Sequence, residues 1–131
     1  MTDVTRLTSV GQIALHVTDI EDAERFYRDV LVLRHLYTFG QLSFFDCGGT
    51  RLYLQAVPAD KWTPGSIVYF MVGDVRAAHA RLAAEGLRFD AAPQLIHRHE
   101  DGTEEWMAFF CDPAGNMLAL MSQFGRADSG V

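Results

Sequence analysis

Lysine is almost missing from these 131 residues: Lys61 is the only one, and 11 basic side chains face 17 acidic ones for a formal net charge of -6. No basic stripe exists to neutralise phosphates, which argues against nucleic acid as a partner. Cysteine is scarce as well. Cys47 and Cys111 are too few for a disulfide framework, and both are expected as free thiols in a reducing cytosol. No apolar run approaches the length of a membrane span. The opening segment mixes Asp3, Thr5 and Arg6 with single apolar residues, unlike the apolar core of a secretory signal. The expectation is a cytoplasmic protein without a membrane partner. A Gly-rich phosphate loop, a nucleophile elbow and a Cys-x-x-Cys pair are also missing, so chemistry by those routes has no support.

What is present reads as one globular domain over 1–131. The composition is 49% hydrophobic and 21% charged, ordinary for a soluble fold, and a chain of this size buries roughly two-thirds of its unfolded surface. Gln12 to Val17 alternates like a half-buried strand, Thr18-Asp19 can cap a helix beginning near Ile20, and Ala23, Phe26, Tyr27, Val30 and Leu31 mark one helical face within Glu21 to Val32. Short strands follow over Leu36 to Phe39, Leu42 to Cys47 and Arg51 to Val57. Pro58 to Gly65 breaks the periodicity and reads as a surface linker.

The second half repeats the first. Ser66 to Val72 reads as a strand and Arg76 to Glu85 as a helix with a glycine stop at Gly86. Strands follow at Leu95 to His99, Trp106 to Cys111 and Met117 to Ser122. Val17-Thr18-Asp19-Ile20 lies on Val72-Gly73-Asp74-Val75, Ala23 on Ala78, and Phe44-Phe45 on Phe109-Phe110. The order is β-α-β-β-β twice, with modules at about 10–57 and 66–123, a linker at 58–65 and a tail at 124–131. The fold class is therefore α+β: two βαβββ modules, each a mixed sheet that curls under its own twist, pairing into a cup-shaped half-barrel with helices outside.

Val17-Thr18-Asp19-Ile20 followed by Arg25-Phe26-Tyr27-Arg28-Asp29-Val30-Leu31, together with Phe109-Phe110-Cys111-Asp112-Pro113-Ala114-Gly115-Asn116, resembles the vicinal oxygen chelate superfamily of glyoxalases, extradiol dioxygenases and bleomycin-resistance proteins. The resemblance spans about Val10 to Gln123. It implies a divalent ion held by one ligand from the first and last strand of each module. Those positions here are Gln12, Tyr53, Ile67 and Ala119, none of them a histidine or carboxylate. Ile67 and Ala119 offer no donor, and a divalent ion needs several at once. The expectation is no metal and no cofactor.

On the same alternation the side chains facing the cup are Gln12, Ala14, His16, Tyr53, Gln55, Ile67, Tyr69, Met71, Met117, Ala119 and Met121. Such a lining suits a flat or apolar small organic molecule oriented by few hydrogen bonds. The candidate ligand-binding residues are Gln12, His16, Tyr53, Gln55 and Tyr69, with His97 and Trp106 at the mouth; no catalytic residue is assigned. His97 and His99 share a strand face, and with Glu104 or Glu105 they form a second, incomplete metal motif. The leading expectation is a small-molecule-binding protein of this superfamily lacking the usual metal, and whether it catalyses a reaction is open. A metal-dependent lyase, epimerase or dioxygenase stands as the alternative, and a regulatory or partner-binding module as a third. Relatives of this fold are commonly homodimers, and a twofold dimer is expected here.

Overall fold

The computed structural model describes residues 4–124, so the tail expected from 124 onward lies, apart from Phe124, outside the described residues. β1 (Gln12–Val17) buries Leu15 and Val17 and leaves Gln12, Ala14 and His16 exposed, the period of two that a strand covered on one face requires. The Asp19 carboxylate accepts the Asp22 amide at 3.0 Å and so caps α1 (Ile20–Arg25), satisfying one of the free donors of the first turn. The coil then widens into a π-helical turn over Phe26–Val30, so the single helix expected up to Val32 changes its winding partway. It ends at Val32, whose φ of 59° is left-handed, a costly conformation for a β-branched residue.

β2 (Arg34–Phe39), β3 (Leu42–Cys47) and β4 (Thr50–Ala56) complete a four-stranded sheet in the order β1-β4-β3-β2. β1 runs parallel to β4, and the remaining neighbours are antiparallel. After a short 3-10 turn at Ala59–Lys61 the pattern recurs as β5 (Val68–Met71), α2 (Val75–Ala84), β6 (Gln94–Arg98), β7 (Glu104–Cys111) and β8 (Met117–Phe124). The second sheet has the matching order β5-β8-β7-β6. The α+β class and the doubled βαβββ order are as expected, and both sheets are open rather than closed barrels.

Strand ends differ from the sequence reading where pairing decides them. β5 starts at Val68 rather than Ser66 because its ladder with β8 begins at Val68↔Leu118. β7 and β8 run to Glu104 and Phe124 because those two residues still pair. No helix among the described residues is long and apolar enough to cross a membrane.

One apolar cluster serves both modules. Leu15, Val17, Phe45, Leu52 and Leu54 meet Ala23 and Tyr27, while Ala108, Phe110, Leu118 and Leu120 meet Val75 and Leu82. Each sheet thus has one face buried under helices and one open face. Burying such side chains contributes about 1.5–3 kcal/mol each, so the helix-side registers are strongly specified and the open faces follow from them by alternation.

A polar staple crosses between the modules. The Asp112 carboxylate, 4% exposed, accepts the amides of Ala114, Gly115 and Asn116 at 2.9–3.0 Å on Oδ1. Its Oδ2 accepts Asn116 Nδ2 at 2.9 Å and the Tyr27 hydroxyl at 2.7 Å. Asn116 Nδ2 also donates to the His16 carbonyl at 2.8 Å, beside the indole N–H of Trp62 at 2.8 Å. The Asp-Pro-Ala-Gly-Asn stretch is therefore a turn whose carboxylate organises its own backbone and ties the first helix to the second sheet. Burial, then the negative charge of Asp112, raise the Tyr27 phenol well above its ordinary pKa.

Candidate functional site

The open face of the first sheet carries a dense polar and aromatic constellation. Phe39, Tyr37, Phe44 and Tyr53, from β2, β3 and β4, stack with interplanar angles of 8–24°. The successive centroids lie 6.2, 4.6 and 5.2 Å apart. Cross-strand neighbours on one face come this close by geometry alone: Tyr37 pairs with Phe44, and Phe44 with Tyr53.

A guanidinium lies over this aromatic run. Arg51 sits 5.3 Å above the Phe44 ring, donates Nε–H to Gln12 Oε1 at 2.8 Å and Nη1–H to the Tyr37 hydroxyl at 3.4 Å. Gln12 and Arg51 are direct partners in the β1–β4 ladder, which places both side chains at one end of the open face. The ring faces and the two oxygens hold the cation in one orientation. The sequence reading missed Arg51, Tyr37 and Phe39 as site residues. The signal was present, because Arg51, Tyr53 and Gln55 alternate on one face of β4.

The expected site residues divide into separate groups. Gln12, His16, Tyr53 and Gln55 share the open face of the first sheet, Ala14 pairing with Tyr53 and His16 with Gln55. Tyr69 pairs with Ala119 on the second sheet and meets Phe109 edge-on at 5.9 Å. His97 lies at the far end of that sheet, opposite Glu105. Trp106 is elsewhere: it packs against the core cluster beneath Arg76 of α2, with the guanidinium 5.7 Å from its ring, and donates Nε1–H to Glu104 at 3.0 Å. It shares the parity of Ala108 and Phe110, so its ring belongs to the helix side.

His99 Nε2 lies 2.9 Å from Glu105 Oε2, and Gln123 donates to the same carboxylate. These hydrogen bonds hold Glu105 below the usual carboxylate range, as bonds from Trp106 and Arg98 do for Glu104. Among the described residues no group of three or more His, Cys, Asp or Glu is placed to hold a metal ion.

The residues at the implied metal positions do not fit a divalent ion. The Gln12 carbonyl already accepts from Arg51, whose positive charge repels a cation, while the Ile67 and Ala119 side chains have no donor atom. Only the Tyr53 phenol remains, and one neutral oxygen does not retain a hydrated divalent ion.

Residues 9–120 match the Glyoxalase/Bleomycin resistance protein/Dioxygenase superfamily. The chain belongs to this superfamily. Among solved structures it is similar to a lactoylglutathione lyase from Agrobacterium tumefaciens, at 26% identity over 88% of this chain and 94% of that one, with a TM-score of 0.70. It is also similar to a virulence protein from Salmonella typhimurium, at 20% identity over 89% and 98%, TM-score 0.71. A superfamily member from Alicyclobacillus acidocaldarius aligns at 19% identity over 92% and 95%, TM-score 0.69. No curated protein matches the chain. The latter two likenesses concern the fold alone.

Proposed function

We propose that this superfamily member binds a small planar organic anion on the open face of its first module, without the divalent ion usual for the fold. The observation that carries the reading is Arg51, fixed over Phe44 by Gln12 and Tyr37. A cation prepositioned beside aromatic faces favours an aromatic carboxylate or a similar ligand, which pairs with the guanidinium and stacks on the rings. Gln12 acts by holding Arg51, Tyr53 contributes a ring face and a hydroxyl, and His16 and Gln55 extend the polar edge. Tyr69 and His97 stand on the other sheet.

The exposed apolar side chains Tyr37, Phe39, Tyr69 and Met71 suit cover by a second copy, so we place a twofold homodimer within the same proposal. Cys47 and Cys111 are both free thiols, in keeping with a cytoplasmic setting. The metal-dependent lyase, epimerase or dioxygenase reading requires a donor set that Gln12, Tyr53, Ile67 and Ala119 do not supply, and about one equivalent of zinc, nickel, iron or manganese in the purified protein would reinstate it.

The test is a thermal-shift and calorimetric screen of aromatic carboxylates against the protein and its Arg51→Gln variant. A binder should lose about tenfold or more in affinity on losing the charged hydrogen bond. Tyr53→Phe should cost about 0.5–1.5 kcal/mol of binding. Unchanged binding in Arg51→Gln, Gln12→Ala and Tyr53→Phe, with loss in His97→Ala, would move the site to the second sheet and defeat the proposal.

A further inference from the structure

The two modules are not equivalent where they meet. Continuing the match of Ala23 with Ala78 and of Phe45 with Phe110 places Phe26 on Arg81, Tyr27 on Leu82 and Asp112 on Cys47. At the first of these two contacts, Tyr27 is fully buried and bonds Asp112 at 2.7 Å, and the Phe26 ring packs 6.3 Å from Phe110. At the second, the positions matching Phe26, Tyr27 and Asp112 hold Arg81, Leu82 and Cys47, so neither a ring nor a phenol comes from these places. A cavity of about 560 Å³ lies there instead.

Its lining is apolar for the most part: Ile13, Leu31 and Leu52 from the first module, and Phe70, Leu82 and Leu120 from the second. Tyr69 and Met71 also border it along the β5 edge, whereas Gln12, Arg51 and Tyr53 of the open-face site are not among its walls. Polar groups are few. The Thr50 hydroxyl donates to the Val10 carbonyl at 3.2 Å, and burial, then the nearby Asp46 charge, raise the pKa of the Cys47 thiol. Among the described residues, Arg81 is the single charged side chain in the lining. One of its N–H groups reaches Glu85 at 3.4 Å on the exposed side of α2, leaving further donors of the planar fork for another anion.

We infer that this cavity is a second binding site, for an aliphatic carboxylate whose chain lies among the apolar walls and whose head group pairs with Arg81. The volume falls in the range of small-molecule sites. Apolar walls reward a hydrocarbon chain in proportion to the area removed from water, and a lone guanidinium at the rim selects a carboxylate head over an alcohol.

Sodium decanoate and decanol serve as paired probes, measured by titration calorimetry on the wild-type chain and on Arg81→Gln. Cys47 reports location: its alkylation by N-ethylmaleimide, followed by mass spectrometry, is compared with that of Cys111 in the same molecule. The expected result is saturable decanoate binding that slows Cys47 modification and leaves Cys111 unaffected. Arg81→Gln should weaken decanoate by about tenfold, the size of one charged hydrogen bond, and leave the weaker decanol binding unchanged. Arg81 is a half-exposed surface side chain, so the variant keeps its fold, checked by circular dichroism. Absence of saturable decanoate binding up to about 1 mM, a limit of roughly 4 kcal/mol, overturns the inference. So does binding that leaves Cys47 unprotected, or a decanoate affinity that Arg81→Gln does not reduce.

Discussion

Tyr27→Phe removes one oxygen and leaves the buried ring, which isolates the staple between the modules. The hydroxyl donates to Asp112 Oδ2 at 2.7 Å in a fully buried setting. A hydrogen bond to a charged group contributes about 1.5–3 kcal/mol. Asp112 would not be stranded, because Oδ2 keeps Asn116 Nδ2 at 2.9 Å and Oδ1 keeps its three amides. The cost should therefore fall near the lower end, about 1.5–2 kcal/mol, or roughly 5–9 °C in Tm for a domain of this size. Urea unfolding at neutral pH measures it, with Tyr53→Phe as the reference: that partly exposed phenol should change stability by less than about 0.5 kcal/mol. The pH dependence adds a second readout. Burial and then Asp112 raise the Tyr27 pKa in the folded state, so this group's contribution is fully present below the ordinary phenol value of about 10 and is lost as pH rises beyond it. The stability gap between wild type and Tyr27→Phe should thus narrow above about pH 10. A loss below about 0.5 kcal/mol, or one no larger than that of Tyr53→Phe, would refute the staple as a stabilising element.

Val32 adopts φ 59° while 64% exposed; Val32→Asn, which tolerates the left-handed region and forfeits little burial, should stabilise by about 0.5–1 kcal/mol in the same urea assay. Gly115 has φ 105°, and a Cβ there would lie 3.3 Å from the Trp62 ring. Gly115→Ala should cost about 1–3 kcal/mol through backbone strain, and a neutral result would show that the turn can relax away from Trp62.

Apolar periodicity determined the doubled βαβββ order and the exposed face of β1, with Gln12, Ala14 and His16 alternating against Leu15 and Val17, because a period of two or 3.6 is a property of the chain itself. The cap at Asp19 was legible from its residue type. That the implied metal positions do not suit a divalent ion was legible in residue type, since the side chains of Ile67 and Ala119 have no donor atom in any conformation. The π-helical turn at Phe26–Val30 was not legible, since its apolar spacing still reads as an α-helix. Arg51 reaching Gln12, Trp62 reaching the His16 carbonyl and Tyr27 reaching Asp112 join residues 39, 46 and 85 positions apart. Alternation names the face a side chain leaves from and says nothing of the partner it meets. The cavity beside Arg81 belongs to the same class, because two matching halves can share every strand and still leave space unfilled, and only the packing of the two modules against each other decides where.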